Sequence, residues 1–240
     1  MSDPRLYTYG PLFTAMKAAI RQLPKNEIKK VLDAPAGAGA LTKFLKEEMK
    51  YDVKATDIDT GKWQYEPVEL VQADLGRKLP FADNEFDMVI CQEGLKHVTD
   101  AATAMNELSR VLRPGGWLIV TLPNDLCMQS RLRYFFDGFV DTDRKHRQEV
   151  GSEDDKTFLY VSSSIQLPLL YYFIEKSGLQ YLFSKASRLR PRSVFMAALL
   201  YPLISWRTAK AVGRWHPLYK ELMSMTWLAG RHVLTVCRKR

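Results

Sequence analysis

At 240 residues, 46% of them hydrophobic and 26% charged, the chain has the apolar material for one sizeable core and does not belong with disordered polypeptides. Its formal net charge of +8 is unevenly placed: Lys185 to Arg240 carries 12 basic residues and one acid, Glu221, against 23 basic and 26 acidic residues elsewhere. A basic C-terminal quarter of this kind seeks an anionic partner, phospholipid or nucleic acid.

In chain order, Tyr7 to Leu23 places Leu12, Phe13, Met16, Ala19, Ile20 and Leu23 at helical spacing with Pro11 in the first turn, which predicts a helix. Tyr7 and Tyr9 precede it, either packing or reaching a bound ligand. Val31-Leu32-Asp33 then reads as the end of a buried strand, and Ala34-Pro35-Ala36-Gly37-Ala38-Gly39 as a turn into a helix that begins with Leu41, Phe44 and Leu45. In doubly wound α/β domains a nucleotide-like ligand sits at such a place, because glycine lets the backbone come close to it. A second strand, Asp52 to Thr56, ends at Asp57, an acid placed to accept hydrogen bonds from two ribose hydroxyls. Asp59 suits a helix cap. A nicotinamide fingerprint would want a third glycine where Thr42 stands.

Further motifs follow in order. Val71-Gln72-Ala73-Asp74-Leu75, Leu79-Pro80-Phe81 leading to Phe86-Asp87-Met88-Val89-Ile90-Cys91, Gln92-Glu93-Gly94-Leu95-Lys96-His97-Val98, and Glu107 through Arg110 to Leu112-Arg113-Pro114-Gly115-Gly116-Trp117-Leu118-Ile119-Val120 complete the set. Together with the glycine turn they resemble the class I S-adenosylmethionine-dependent methyltransferases, of the methyltransferase-11 type, over Val31 to Asn124. The resemblance implies an α/β fold: a doubly wound, seven-stranded, mostly parallel sheet of Rossmann-like type. It implies S-adenosylmethionine held by Asp33, Ala34, Gly37 and Gly39 at the first turn, by Asp57 and Ile58 after the second strand, by Asp74 and Leu75 after the third, where the acid meets the adenine amino group, and by Gln92 after the fourth. Pro35 departs from the family pattern, which has glycine there; its φ is fixed and it has no amide proton, so altered geometry with retained binding is expected.

Beyond the fifth strand, residues 122–164 lack strong periodicity and read as a lid, which in the resembling family lies over the active site. Ile165 to Gly178 reads as a helix, Leu179 to Ser184 as strand six and His232 to Cys237 as an antiparallel closing strand. The family needs only a short connection between those strands, so residues 185–231 form an insertion within one methyltransferase domain spanning 1–240, capped by an N-terminal helix in 1–24. Ser193 to Trp206 is almost wholly apolar, is interrupted by Pro202 and is too short for the roughly 20 residues of a spanning helix. Arg188, Arg190 and Arg192 precede it, Arg207, Lys210 and Arg214 follow it, and Trp206, Trp215 and Trp227 stand near. Cations and tryptophans around an apolar segment suit an anionic membrane interface; a helical cap or a dimer surface is the other reading.

Cys91, Cys127 and Cys237 show neither metal-ligand spacing nor an even disulfide set, and Met1 to Tyr9 does not read as a signal peptide. A metal-free protein in a reducing cytoplasmic setting, peripheral on the inner membrane face, is the expectation. Methyl transfer from a sulfonium is an in-line displacement that needs alignment above all, and an acceptor hydroxyl also needs a general base. His146 in the lid and His97 after strand four are the candidate bases; His216 and His232 read as structural or surface residues. The leading expectation is a methyltransferase for a lipid, lipid-linked or other hydrophobic acceptor at a membrane surface. A soluble small-molecule O- or N-methyltransferase with the insertion as substrate cap comes next, then a non-catalytic S-adenosylmethionine-binding or structural partner. Nucleic acid ranks below as substrate, since Gln92-Glu93-Gly94-Leu95 stands where an Asn-Pro-Pro-Tyr-type motif would be, and these motifs specify no oligomer.

Overall fold

The computed structural model describes residues 10–137 and 165–240. Tyr7, Tyr9, His146 and most of the expected lid lie outside these residues. The described chain forms a seven-stranded sheet of β1 (Lys30–Asp33), β2 (Asp52–Asp57), β3 (Leu70–Gln72), β4 (Phe86–Gln92), β5 (Leu112–Pro123), β6 (Leu179–Ala186) and β7 (His232–Lys239). Their order is β3-β2-β1-β4-β5-β7-β6, with the first five parallel and β7 antiparallel to both neighbours. This is the expected doubly wound architecture, with its antiparallel closing strand.

The strands form where they do because both faces of the sheet are covered, which asks for continuous apolar runs instead of alternation. Met88, Val89, Ile90 and Cys91 in β4 are all fully buried, as are Val31 and Leu32 in β1. On one face α1 (Gly10–Gln22) lays Met16, Ala19 and Ile20 against Ile90, Ile119 and Val236; α2 (Ala40–Lys43), continued by a π-helical turn Phe44–Glu48, adds Leu41, Phe44 and Leu45. On the other, α3 (Ala101–Val111) and α5 (Leu167–Lys176) bury Met105, Leu108, Leu170 and Ile174 against Leu118, Leu179 and Cys237. Each buried Leu, Ile, Val, Phe or Met side chain among these contributes roughly 1.5–3 kcal/mol through burial.

Several motif residues are structural. Glu107 accepts from the Leu79 amide, and Arg110 pairs with Glu107 and Asp83 while donating to the carbonyls of Leu79 and Phe81, so this pair clamps the loop before β4. Asp87 pairs with Arg113 and accepts from the amides of Lys29 and Lys30; burial opposes its ionisation, but these donors hold its carboxyl below the usual range. Gly115 has φ +71°, and a Cβ on Gly116 would lie 2.6 Å from Leu112 and 2.9 Å from the Asp87 carbonyl oxygen, so the first part of β5 requires both glycines.

The insertion folds as α6 (Pro191–Val212), α7 (Pro217–Leu222) and α8 (Met225–Ala229). Contrary to the sequence expectation, Pro202 does not divide the apolar segment: α6 runs through it for 22 residues and stops at Gly213, which has φ +81°. No helix among the described residues is long and apolar enough to cross a membrane. The insertion is tied down from within by α8, whose Trp227 is 1% exposed in the main core. The Asn124 side-chain amide, just past β5, donates to the carbonyls of Thr226, Trp227 and Gly230. α4 (Met128–Asp137) packs on α6 through Met128 and Ala197.

Candidate active site

The carboxyl ends of the parallel strands open onto a cavity of about 700 Å³, within the range that holds small-molecule ligands. β1 brings Asp33 to its wall. One carboxyl oxygen of Asp33 accepts from the Thr42 hydroxyl at 2.7 Å; the other is buried and meets no donor among the described residues. Burial, reinforced by the nearby Asp57 and only partly offset by Thr42, pushes the Asp33 carboxyl up to about 7. A buried carboxyl oxygen without a donor is an acceptor that a cationic ligand group would satisfy.

The turn after β1 is shaped by glycine. Gly37 has φ +56°, and its amide donates to Asp57 Oδ2 at 2.8 Å, which joins the turn to the end of β2. Gly39 has φ +93°, and a Cβ there would lie 2.7 Å from the Tyr65 Cβ and 3.1 Å from the Trp63 ring, so these two aromatic residues close over the turn. The Ala34–Pro35 peptide bond is cis. A Cβ on Gly94 would come within 2.3 Å of the Pro35 ring, so Gly94 makes room for the proline that replaces the family glycine.

Asp57 and Ile58 follow at the β2 end, and Asp57 also accepts from the Asp59 amide at 3.0 Å. Asp59 caps a short 3-10 turn through Gly61, as its sequence position suggests. Asp74 and Leu75 line the wall after β3; Asp74 accepts from the Gly76 amide at 2.8 Å and faces Arg77 at 3.5 Å. Gln92 lines the cavity from the β4 end. Ala34 and Gly39, assigned to the cofactor by resemblance, do not line it: the Ala34 amide donates to Ile90 within the sheet, and Gly39 lies under Trp63 and Tyr65. Leu12 reaches the cavity from α1, which sets the N-terminal helix against the site.

At the opposite end stand Glu93, Lys96, His97 and His232. Glu93 has φ +58°; its amide donates to Thr121, its carboxylate accepts from the Thr121 hydroxyl at 3.1 Å and pairs with Lys96 at 3.0 Å. His97 is an exposed residue of a 3-10 turn after β4. His232, read from sequence as structural, begins β7 opposite Pro123 and lines the cavity. The signal that finds it is topological: the first residue of an antiparallel closing strand lies at the same edge as the last residues of the parallel strands. Nothing in the sequence announces the left-handed conformation of Glu93. Among the described residues, no group of three or more His, Cys, Asp or Glu is arranged to hold a metal ion.

The methyltransferase domain family matches residues 32–120, which span β1 to most of β5 and carry all of this wall except Leu12 and His232. That stretch is similar to the methyltransferase domain. Over 107 residues the chain is 40% identical to a demethylmenaquinone methyltransferase of Corynebacterium urealyticum, covering 43% of this chain and 46% of that one. It is 39% identical over 103 residues to the ubiquinone/menaquinone biosynthesis C-methyltransferase UbiE of Hahella chejuensis, covering 38% and 41%. The chain thus spans about half the length of the relatives it matches. An S-adenosylmethionine-dependent methyltransferase of Mesorhizobium loti shares the fold, with a TM-score of 0.57 and 13% identity over 96% of this chain and 99% of that one.

The residues present fit S-adenosylmethionine on their own chemistry. The unsatisfied Asp33 oxygen suits an ammonium, Asp57 suits a ribose diol, and Ile58 and Leu75 offer apolar surface to an adenine ring.

Proposed function

We propose that the protein transfers the methyl group of S-adenosylmethionine to a lipophilic, quinol-like acceptor at an anionic membrane surface, as a peripheral protein of the inner face. The observation that carries the reading is the outer face of α6. Phe195, Leu199, Leu203 and Trp206 recur on one side of the helix at spacings of four, four and three, and all are more than half exposed. Exposed cations bracket them: Arg188 and Arg192 before, Arg207, Lys210 and Arg214 after. Arg190, grouped with these in the sequence reading, is half-buried and donates to Cys127 Sγ at 3.5 Å, so it is left out of the membrane face. An apolar stripe with basic ends suits the headgroup boundary of an anionic bilayer, where each nearby cation contributes about 1 kcal/mol.

Position supports the same reading. The insertion returns to the sheet at His232, on the cavity wall, so the insertion and the cavity meet at the start of β7. The named activities of the two quinone-pathway relatives make a quinol the acceptor class to test first. In the reaction the chain's task is alignment and exclusion of water: the wall from Asp33 to Asp74 fixes the donor, and orientation of the reacting groups supplies roughly 7–11 kcal/mol. The test is co-sedimentation with phosphatidylserine vesicles and with phosphatidylcholine vesicles. Binding to the anionic vesicles that falls as salt rises is expected. Protein left in the supernatant with both at low salt would overturn the membrane surface and leave the insertion as a substrate cap.

A further inference from the structure

Resting on that reading, we infer that His232 is the general base for a hydroxyl-bearing aromatic acceptor, taking the hydroxyl proton as the methyl group is transferred. The cavity divides its ionisable groups by role. Asp33, Asp57 and Asp74 belong to the donor end, at the tips of β1, β2 and β3. At the other end Glu93 is already engaged by Thr121 and Lys96, which makes Lys96 a paired cation and leaves two histidines as proton acceptors. His97 sits in an exposed turn, whereas His232 is half-buried and is carried by a strand locked on both sides. It lies opposite Pro123 of β5, and its carbonyl accepts from the Ser187 amide at 2.9 Å. A base on a rigid strand is held in place without an ordering cost at each turnover.

The electrostatic surroundings agree with the geometry. Burial lowers the affinity of the His232 imidazole for a proton, Glu93 acts in the opposite sense, and Arg231, Lys96 and Arg190 act with burial; the net result lies below the ordinary histidine range. The shift favours the neutral ring, the form able to accept a proton. The step balances as follows for a quinol methylated on carbon. The hydroxyl proton passes to His232, the electron-rich ring carbon forms a bond to the methyl carbon, and the carbon–sulfur bond breaks with its electron pair left on sulfur. The proton on that ring carbon then leaves to water, and the imidazolium returns its own proton to the ring oxygen, which restores the hydroxyl of the methylated quinol and the neutral base.

The experiment uses the whole protein with a short-chain, water-dispersed naphthoquinol as acceptor. For the wild type, kcat should rise with pH along an acidic limb whose midpoint lies below 6.5. In His232→Gln, kcat should fall by about 10²–10⁴ and the limb should vanish, while the affinity for S-adenosylmethionine, read by calorimetry, stays within threefold. A variant that keeps kcat within tenfold of wild type, or a limb that disappears in His97→Gln instead, overturns the assignment while leaving the proposed function standing. Wild-type protein that binds S-adenosylmethionine but methylates neither the naphthoquinol nor other hydroxyl-bearing aromatics overturns the proposed function, and the base with it. Should His232→Gln not fold, the histidine resonances of wild-type protein decide: saturation with a quinol analogue methylated at the reacting carbon shifts the His232 ring signal if the inference holds, and leaves it unmoved if it does not.

Discussion

The donor half of the molecule and its insertion use apolar residues in opposite ways. Between β1 and β5 most of the large apolar side chains are buried, and the surface facing the cavity combines glycine backbone and carboxylates with the apolar Ile58 and Leu75. In α6 the order is reversed: its inner side is narrow, with Ser193 and Ala197 buried, and its largest apolar groups face outward. An insertion already anchored through Trp227 of α8 and Asn124 does not need those groups for folding. Exposed apolar surface of this extent marks an interaction site. The first region is shaped to hold one small molecule; in the function proposed above, the second meets a surface.

The two should therefore break separately, and the largest effect belongs to the surface. Replacing Arg192, Arg207, Lys210 and Arg214 with Gln removes four cations worth about 1 kcal/mol each near an anionic bilayer, so vesicle binding should fall at least a hundredfold. S-adenosylmethionine affinity should not change. Calorimetry and sedimentation on the same sample check both halves of that statement.

Next comes Gly39→Ala. The new Cβ meets Tyr65 at 2.7 Å in a backbone with φ +93°, and the combined strain and overpacking should cost about 2–4 kcal/mol of stability. Thermal melting reads the loss, and vesicle binding below the melting point should persist. Asp57→Ala removes a charged acceptor and the tie to the Gly37 amide, so S-adenosylmethionine should bind about 10- to 150-fold more weakly, a loss of about 1.5–3 kcal/mol. An unchanged dissociation constant would take Asp57 out of the site.

The smallest effect is a proton. The Asp33 carboxyl, pushed up to about 7, is half protonated at neutrality in the free protein, whereas an ammonium group is best met by the ionised form. Affinity for S-adenosylmethionine should strengthen as pH rises through 7 and weaken by up to about tenfold for each unit below it. The raised value also sets the sign for folding: the free protein loses stability as pH climbs from 3.8 towards 7, because the unfolded chain ionises first. Asp33→Asn should flatten both trends.

What was legible in the sequence follows from the same contrast. The donor half is written in short-range patterns: an apolar run gives β1, two glycines give the turn, and an acid at a strand end marks the cavity wall. Asp33, Gly37, Asp57, Ile58, Asp74, Leu75, Gln92 and His97 line the cavity as the order of strands suggests. Ala34 faces the sheet and Gly39 the aromatic cover, because a turn alternates between wall and support, and local sequence does not say which residue does which. The insertion was legible in composition but not in form. Pro202 suggested a break, yet a proline in a long exposed helix removes only one donor, and packing on α4 and α8 carries the helix through. Arg190 looked like its neighbours until the fold turned it towards Cys127. His232 reads as a structural or surface residue in the sequence because its place on the cavity wall arises from strand order, which brings together residues more than a hundred positions apart.

The central claim is that one chain joins a donor cavity to a membrane-facing helix so that the acceptor is methylated at the bilayer. It is tested most directly by following labelled methyl transfer from S-adenosylmethionine to a naphthoquinol embedded in vesicles. Transfer into phosphatidylserine vesicles should exceed transfer into phosphatidylcholine vesicles at least tenfold, and the advantage should vanish at 1 M salt, where the Debye length is about 3 Å. Equal rates in the two vesicle types at low salt, or no label in the lipid fraction, would contradict it.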